Sequence, residues 1–164
     1  MISRTSEYAI RALAFLGTHE GGTWMLARDI AQELGMPPPF LGKVLQTMTA
    51  AGLLESQRGR GGGFRLLREP GSVTLLEIVE PFDHLNARRM CLLGQKLCGD
   101  EHACPLHDAW KRTKATFLTA LATTTLADVE RMEYPGSFPW GASKAAPART
   151  ARPARKKVRS RRRS

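Results

Sequence analysis

Apolar side chains recur at Ala9, Ala12, Leu13 and Leu16. This is the i, i+3, i+4, i+7 spacing of a helix with one buried face, and it predicts a first helix over residues 4–17, ended by Gly21 and Gly22. A second short pattern, Leu26, Ala27, Ile30, Ala31 and Leu34, stops at Gly35, and a third, Leu41, Val44, Leu45 and Met48, runs up to Gly52. Two short helices joined by a tight glycine-containing turn form a helix-turn-helix. Beyond Gly52, residues 53–57 and 64–67 read as short strands joined by the glycine-rich stretch 58–63. The pattern is that of a winged helix.

Residues 74–79 predict a further short helix, N-capped by Ser72 or Thr74 and closed by Pro81. Residues 88–104 carry little periodicity. Pro105 then suits the first position of a long helix with Leu106, Trp110, Phe117, Leu118 and Leu121 along one side. An apolar stripe that broad, away from the head, suits a dimer contact. The stretch TTTLADVERM adds a last short helix, and from Pro135 onward the Ala, Pro, Arg and Lys composition cannot form a packed core. The expected fold is mostly α. It has a winged helix-turn-helix DNA-binding domain with a two-stranded wing over 1–83, a cysteine-containing loop with dimerisation helices over 84–134, and a disordered basic tail over 135–164.

Composition adds limits to this picture. A chain of 164 residues with 42% hydrophobic content can bury one modest core with an appendage, and two large domains are excluded. The net charge of +10 is unevenly placed. Residues 1–140 hold 15 basic and 15 acidic residues, whereas the other 10 basic residues fall within 144–163, where no acid interrupts them. The body is neutral and the tail carries the excess, which points to a polyanionic partner. No apolar run approaches the ~18 residues of a membrane span, and charges are spread through the N-terminal segment, so neither a span nor a signal peptide is expected. Three cysteines, all within 91–104, make a poor secreted disulfide framework and fit a reducing cytoplasm.

The chemistry divides between two places. With Leu41, Val44, Leu45 and Met48 facing inward, the second helix of the helix-turn-helix presents Pro38, Pro39, Gly42, Lys43, Gln46 and Thr47 outward. Gln46 matches adenine, and Lys43 matches guanine or a phosphate. The segment RGRGGGFR is no Walker loop, because no Gly-Lys-Ser/Thr follows, and it is too isolated for an RNA-binding Arg-Gly box. It fits a wing whose Arg58 or Arg60 reaches a narrow minor groove, with Arg65 adding to the basic concentration. The segment CLLGQKLCGDEHACPLH places six residues between Cys91 and Cys98, five between Cys98 and Cys104, and His107 three positions on. Structural zinc favours pairs separated by two to four residues, whereas wide spacing suits a larger cluster in which each thiolate reaches a different iron. Alternatives are a cluster-free or zinc-binding regulator and a thiol redox enzyme using Cys104. The enzyme would need a base and an orienting group where only His102 and His107 are near.

Read in order, SEYAIRAL, DIAQELGMPPPFLGKVLQTMTAAGLLESQRGRGGGFRL, the set Cys91, Cys98 and Cys104, and TLADV resemble the Rrf2 family of bacterial winged-helix regulators over roughly residues 1–130. The cysteines are similar to those of its cluster-binding branch, which includes IscR, NsrR and RirA. The resemblance implies a homodimer on a double-stranded, partly palindromic DNA operator, with repression as the expected activity and iron, redox or nitric oxide status as the signal. It also implies an iron-sulfur cluster ligated by the three cysteines. His107 is similar to the histidine that completes a 2Fe-2S site in IscR-like members, while Glu7 falls where some relatives contribute a carboxylate from the partner subunit. A 2Fe-2S cluster is the first expectation and 4Fe-4S the alternative. Gly42 departs from the acidic residue by which IscR-like proteins distinguish operator types. Leu26 stands where many relatives have a capping Ser or Thr, and the basic tail lies outside the family pattern.

Overall fold

The computed structural model describes residues 2–19, 22–86, 93 and 100–132. The tail expected to be disordered lies outside the described residues. Helix α1, Arg4–Gly17, starts where the Ser3 hydroxyl accepts the Ser6 N–H. Helix α2, Ala27–Leu34, begins at Leu26 with no side-chain cap and stops at Gly35, which turns left-handed at φ 62° so that α3, Pro38–Ala50, can begin. Strands β1, Leu54–Gln57, and β2, Gly63–Leu66, pair antiparallel with Leu54 opposite Leu66 and Glu55 opposite Arg65, each within a residue of its expected bounds.

A third pairing escaped the periodicity. The Met25 N–H donates to the Phe64 carbonyl at 3.0 Å, and the Phe64 N–H donates back at 2.8 Å. This brings the loop ahead of α2 onto the wing. Gly63 permits the approach: its φ is 147°, and a Cβ there would lie 2.2 Å from the Met25 carbonyl oxygen.

Helix α4, Leu75–Asp83, is capped by Thr74 in a capping box with Glu77. Pro81 does not close it. The helix continues to Asp83 and ends at His84, which is left-handed at φ 48°. Proline's fixed φ is helical, it forfeits one bond near the helix end, and Ile78, Val79 and Phe82 hold the last turn against the core. Helix α5, His107–Thr123, likewise starts later than Pro105. The Cys104 carbonyl accepts the His107 N–H at 2.9 Å, closing a turn over Pro105 and Leu106 that leaves Leu106 exposed, off the expected stripe. Leu121 is buried, and Phe117 and Leu118 pack on the chain's own core. Phe117, Leu118 and Leu121 of the stripe thus serve the fold of the single chain. Helix α6, Leu126–Glu130, returns to the head through Leu126 N–H to Val73 carbonyl at 2.8 Å and Leu75 N–H to Thr124 carbonyl at 2.9 Å.

Helix α1 runs through the centre, packed on α2, α3, α4, α6 and β2. Ala9, Ala12 and Leu13 are wholly buried, and Leu121, Leu126 and Val129 join the same cluster. At the start of α1, Asp83 Oδ2 accepts the Ser3 N–H at 2.9 Å and the Ser6 hydroxyl at 2.7 Å. Burial pulls the Asp83 carboxyl upward, but the Ser3 and Ser6 donors outweigh it and leave it below the ordinary carboxylate range. Stability from this contact is therefore present above the unfolded-state value near 3.8 and is lost as pH falls through the lower folded-state value. Asp83→Ala should cost about 1–3 kcal/mol at pH 7 by orphaning the Ser3 and Ser6 donors. Thermal melts from pH 6 to pH 3 should show a shallower acid loss in the variant than in the parent; parallel curves would contradict this assignment.

Candidate nucleic-acid interface and cysteine segment

Helices α2 and α3 pack together as a helix-turn-helix, and the outer side of α3 is open. Pro38, Pro39, Lys43 and Gln46 are exposed, while Gly42 and Thr47 are half-buried and the Thr47 hydroxyl donates to the Lys43 carbonyl at 3.1 Å. Phe40, absent from the outward set read from sequence, is 37% exposed and stands edge-on to Tyr8 of α1 with ring centroids 5.6 Å apart. The i, i+3, i+4 periodicity that assigned Leu41, Val44 and Leu45 to the core could not report an aromatic ring on the flank of the helix.

In the wing, the turn between β1 and β2 exposes Arg58 and Arg60, and neither has a carboxylate partner among the described residues. Arg65 behaves otherwise. Its Nε and Nη2 donate to Glu55 Oε2 at 2.9 and 2.8 Å, and its guanidinium lies 4.5 Å from the Trp24 ring centroid. Its charge is met inside the wing, so it does not add to the basic concentration at the tip. It is instead a strut that ties β2 to β1 and to the loop bearing Met25. The cross-strand position of Glu55 is the signal that pairing register would have supplied.

After the Asp83 contact Leu85 is still buried in the core, and the cysteine segment follows in the sequence. Cys91 and Cys98 lie outside the described residues. Cys104 is half-buried, three residues ahead of His107. His107 is buried as the first residue of α5, and its Nε2 lies 2.9 Å from Asp100 Oδ1, an oxygen also reached by Lys111 Nζ at 3.1 Å. The bond to His107, followed by those to Lys111, holds the exposed Asp100 carboxyl below its ordinary range. Asp100 was not foreseen, because a carboxylate seven residues before a histidine carries no periodic signature. Glu7 sits half-buried in the first turn of α1, 3.7 Å from Arg11 Nη1 and one turn from the Ser3–Asp83 contact. Among the described residues no three His, Cys, Asp or Glu side chains gather as a metal site. Cys104 and His107 are joined through the backbone, His107 N–H to Cys104 carbonyl, and a thiol and an imidazole with a carboxylate partner are of the donor types that iron-sulfur and zinc centres use.

The family model described as Rrf2, iron-dependent transcriptional regulator, matches residues 2–131. The chain belongs to the Rrf2 family of transcriptional regulators. An HTH-type transcriptional regulator of Aquifex aeolicus is 31% identical over 141 residues, covering 85% of this chain and 97% of its own length. The HTH-type transcriptional regulator NsrR of Geobacillus kaustophilus is 29% identical, covering 78% of this chain and 88% of its own. Among solved structures, CymR, the global cysteine regulator of B. subtilis, superposes with a TM-score of 0.68 at 23% identity, over 79% of this chain and 95% of its own. IscR of T. potens does so at 0.63 and 23%, over 82% and 93%. At that identity the structures establish the fold alone. The Rrf2 relatives are transcriptional regulators, not enzymes, and the winged-helix expectation holds. No helix among the described residues is long and apolar enough to cross a membrane.

The strut of this Rrf2 wing is open to a double-mutant cycle. Glu55→Ala and Arg65→Ala should each lower urea-unfolding stability by about 1 kcal/mol or less, with a coupling of about 0.2–1 kcal/mol between them. Additive losses would remove the pair from the wing's architecture.

Proposed function

We propose that this Rrf2 regulator acts as a cytoplasmic homodimer that represses transcription from a two-fold related operator, its DNA affinity set by an iron-sulfur cluster on Cys91, Cys98 and Cys104. The observation that carries the DNA-binding face is the exposure of Lys43 and Gln46 on α3 beside Arg58 and Arg60 at the wing tip. Helix α3 then enters the major groove and the wing an adjacent minor groove, and a two-fold dimer sets its half-sites about one helical turn or more apart. The dimer contact is assigned to α5, whose side away from the core exposes Ala109, Thr113, Thr116 and Ala120. Arg58→Ala should weaken operator binding by about 1–3 kcal/mol if it reads the groove. Unchanged affinity in the Lys43→Ala, Arg58→Ala double variant would remove this face from consideration.

Control by the cluster follows from where the segment is tied. Its start is fixed to α1 through Asp83, its end becomes α5, which packs on α4, and α1 packs on α3. A bound cluster would supply a rigid cross-link within that segment, and ordering the segment biases how the two heads are spaced. The expected coupling is about 1–3 kcal/mol in DNA affinity. For the fourth ligand, His107 is the first candidate, and Asp100, 2.9 Å from its Nε2, would orient the ring or be displaced on ligation. Glu7 of the partner subunit is the alternative. Changing any one of Cys91, Cys98 or Cys104 to Ala should abolish the visible absorbance of anaerobically purified protein and make operator affinity indifferent to cluster-destroying treatment. His107→Ala should leave a labile cluster if His107 is the ligand and a stable one if Glu7 is. A triple cysteine variant that still responds as the parent does would place the switch elsewhere.

The basic residues of 144–163 supply non-specific affinity in this account, each phosphate contact releasing counterions. Removing residues 141–164 should flatten the slope of log affinity against log salt while sparing operator preference. An identical slope in the truncated chain would make the tail a passive segment.

A further inference from the structure

The first turn of α3 lacks the chemistry by which a helix start usually engages nucleic acid. Helix N-termini commonly capture phosphate with free N–H groups. Here Pro37 is the N-cap and Pro38 and Pro39 the first two helical residues, so three of these donors do not exist. The N–H groups of Phe40 and Leu41 both donate to the Pro37 carbonyl at 3.1 Å. No side chain from Pro37 to Leu41 carries a donor or acceptor, yet Pro38, Pro39 and Phe40 are exposed. The turn is also held in place: Tyr8 of α1 braces the Phe40 ring edge-on, and Arg11 lies 5.6 Å from the Tyr8 centroid.

One position further, Gly42 occupies the middle of the outer side, where an added Cβ would meet nothing within 4 Å. Space does not require a glycine there, and inside a helix glycine is costly. What it leaves is bare backbone between an apolar turn and the polar pair Lys43 and Gln46. Flanking cations, Lys43 on the helix and Arg58 and Arg60 on the wing, suit a polyanion, while the centre of the surface is apolar.

We propose that the exposed first turn of the recognition helix, Pro38, Pro39 and Phe40, reads the 5-methyl group of a pyrimidine in the major groove, with Gly42 as the notch that lets the helix come close. This rests on the DNA-binding reading above. An apolar turn pressed on a purine edge would leave that edge's acceptors and donors unpaired, whereas the methyl of thymine asks for no hydrogen bond. Thymine is the ordinary source of that methyl, and 5-methylcytosine is the other.

The test selects sites for the full chain from a randomised double-stranded DNA library and replaces each thymine of a selected site, one at a time, by deoxyuridine. Deleting one buried methyl should weaken binding by about three- to fivefold. That loss is expected at one or two positions per half-site and should vanish in Pro39→Ala or Phe40→Ala. At the same positions a 5-methylcytosine–guanine pair should bind more tightly than cytosine–guanine if the methyl alone is read. If only thymine is accepted there, the proposal narrows to thymine. Gly42→Ala should melt no lower than the parent yet bind the selected site more weakly. Selective binding that ignores deoxyuridine at every position would overturn the proposal while leaving DNA binding intact. No selective enrichment at all would overturn both.

Discussion

Near-complete burial of α1 constrains the rest of the molecule. A helix packed on the recognition helix, on α4, on α6 and on the wing can carry few bulky side chains where neighbours approach, and Ala9, Ala12 and Ala14 occupy those positions. Leu13 and Leu16 fill the larger gaps. Helices α2, α3, α4 and α6 and strand β2 are therefore referenced to one rod, and moving one against another means disturbing a close-packed interior.

The two ends of the proposed function meet that rod at its first turns. Asp83, the last residue of α4 and ahead of the cysteine segment in sequence, binds Ser3 and Ser6, and Tyr8, in the next turn, braces Phe40 on the recognition helix. Arg11, buried one turn further on, donates to the Leu34 carbonyl at 3.2 Å, reaching the end of α2 just before the left-handed Gly35. Polar contacts in a half-buried setting are directional where apolar packing is not, so this end of α1 fixes orientation as well as distance. The wing gains its stiffness separately, from the Glu55–Arg65 pair, the Trp24 ring and the Met25–Phe64 pairing. Two rigid parts thus flank the exposed cations Lys43, Arg58 and Arg60.

Much of this was legible in the sequence, for definable reasons. The first three helices carry an unbroken i, i+3, i+4 pattern, and the wing lies between two apolar runs with glycines at its turn, so local signals and tertiary packing agree. Legibility failed where long-range pairing decides. Nothing near Met25 announces a partner at Phe64, and Arg65 counted as a free cation until register placed it opposite Glu55. Pro81 and Pro105 misled in opposite ways. One sits inside a helix because Phe82 is held by the core, and the other precedes the helix because a turn closes from Cys104 to His107. Asp100, the partner of His107, is invisible to any periodicity. Of the cysteine set, only Cys104 falls among the described residues, so the sequence spacing remains the argument for a shared cluster.

Order in the cysteine segment should reach the recognition helix through α1. Amide hydrogen exchange of the full chain, compared between cluster-loaded and cluster-stripped protein under anaerobic conditions, tests it most directly. Loading should slow exchange in the first turns of α1 and the last turn of α4, and with them in α3. Protection confined to residues 87–106, with α1 and α3 exchanging alike in both states, would contradict the account.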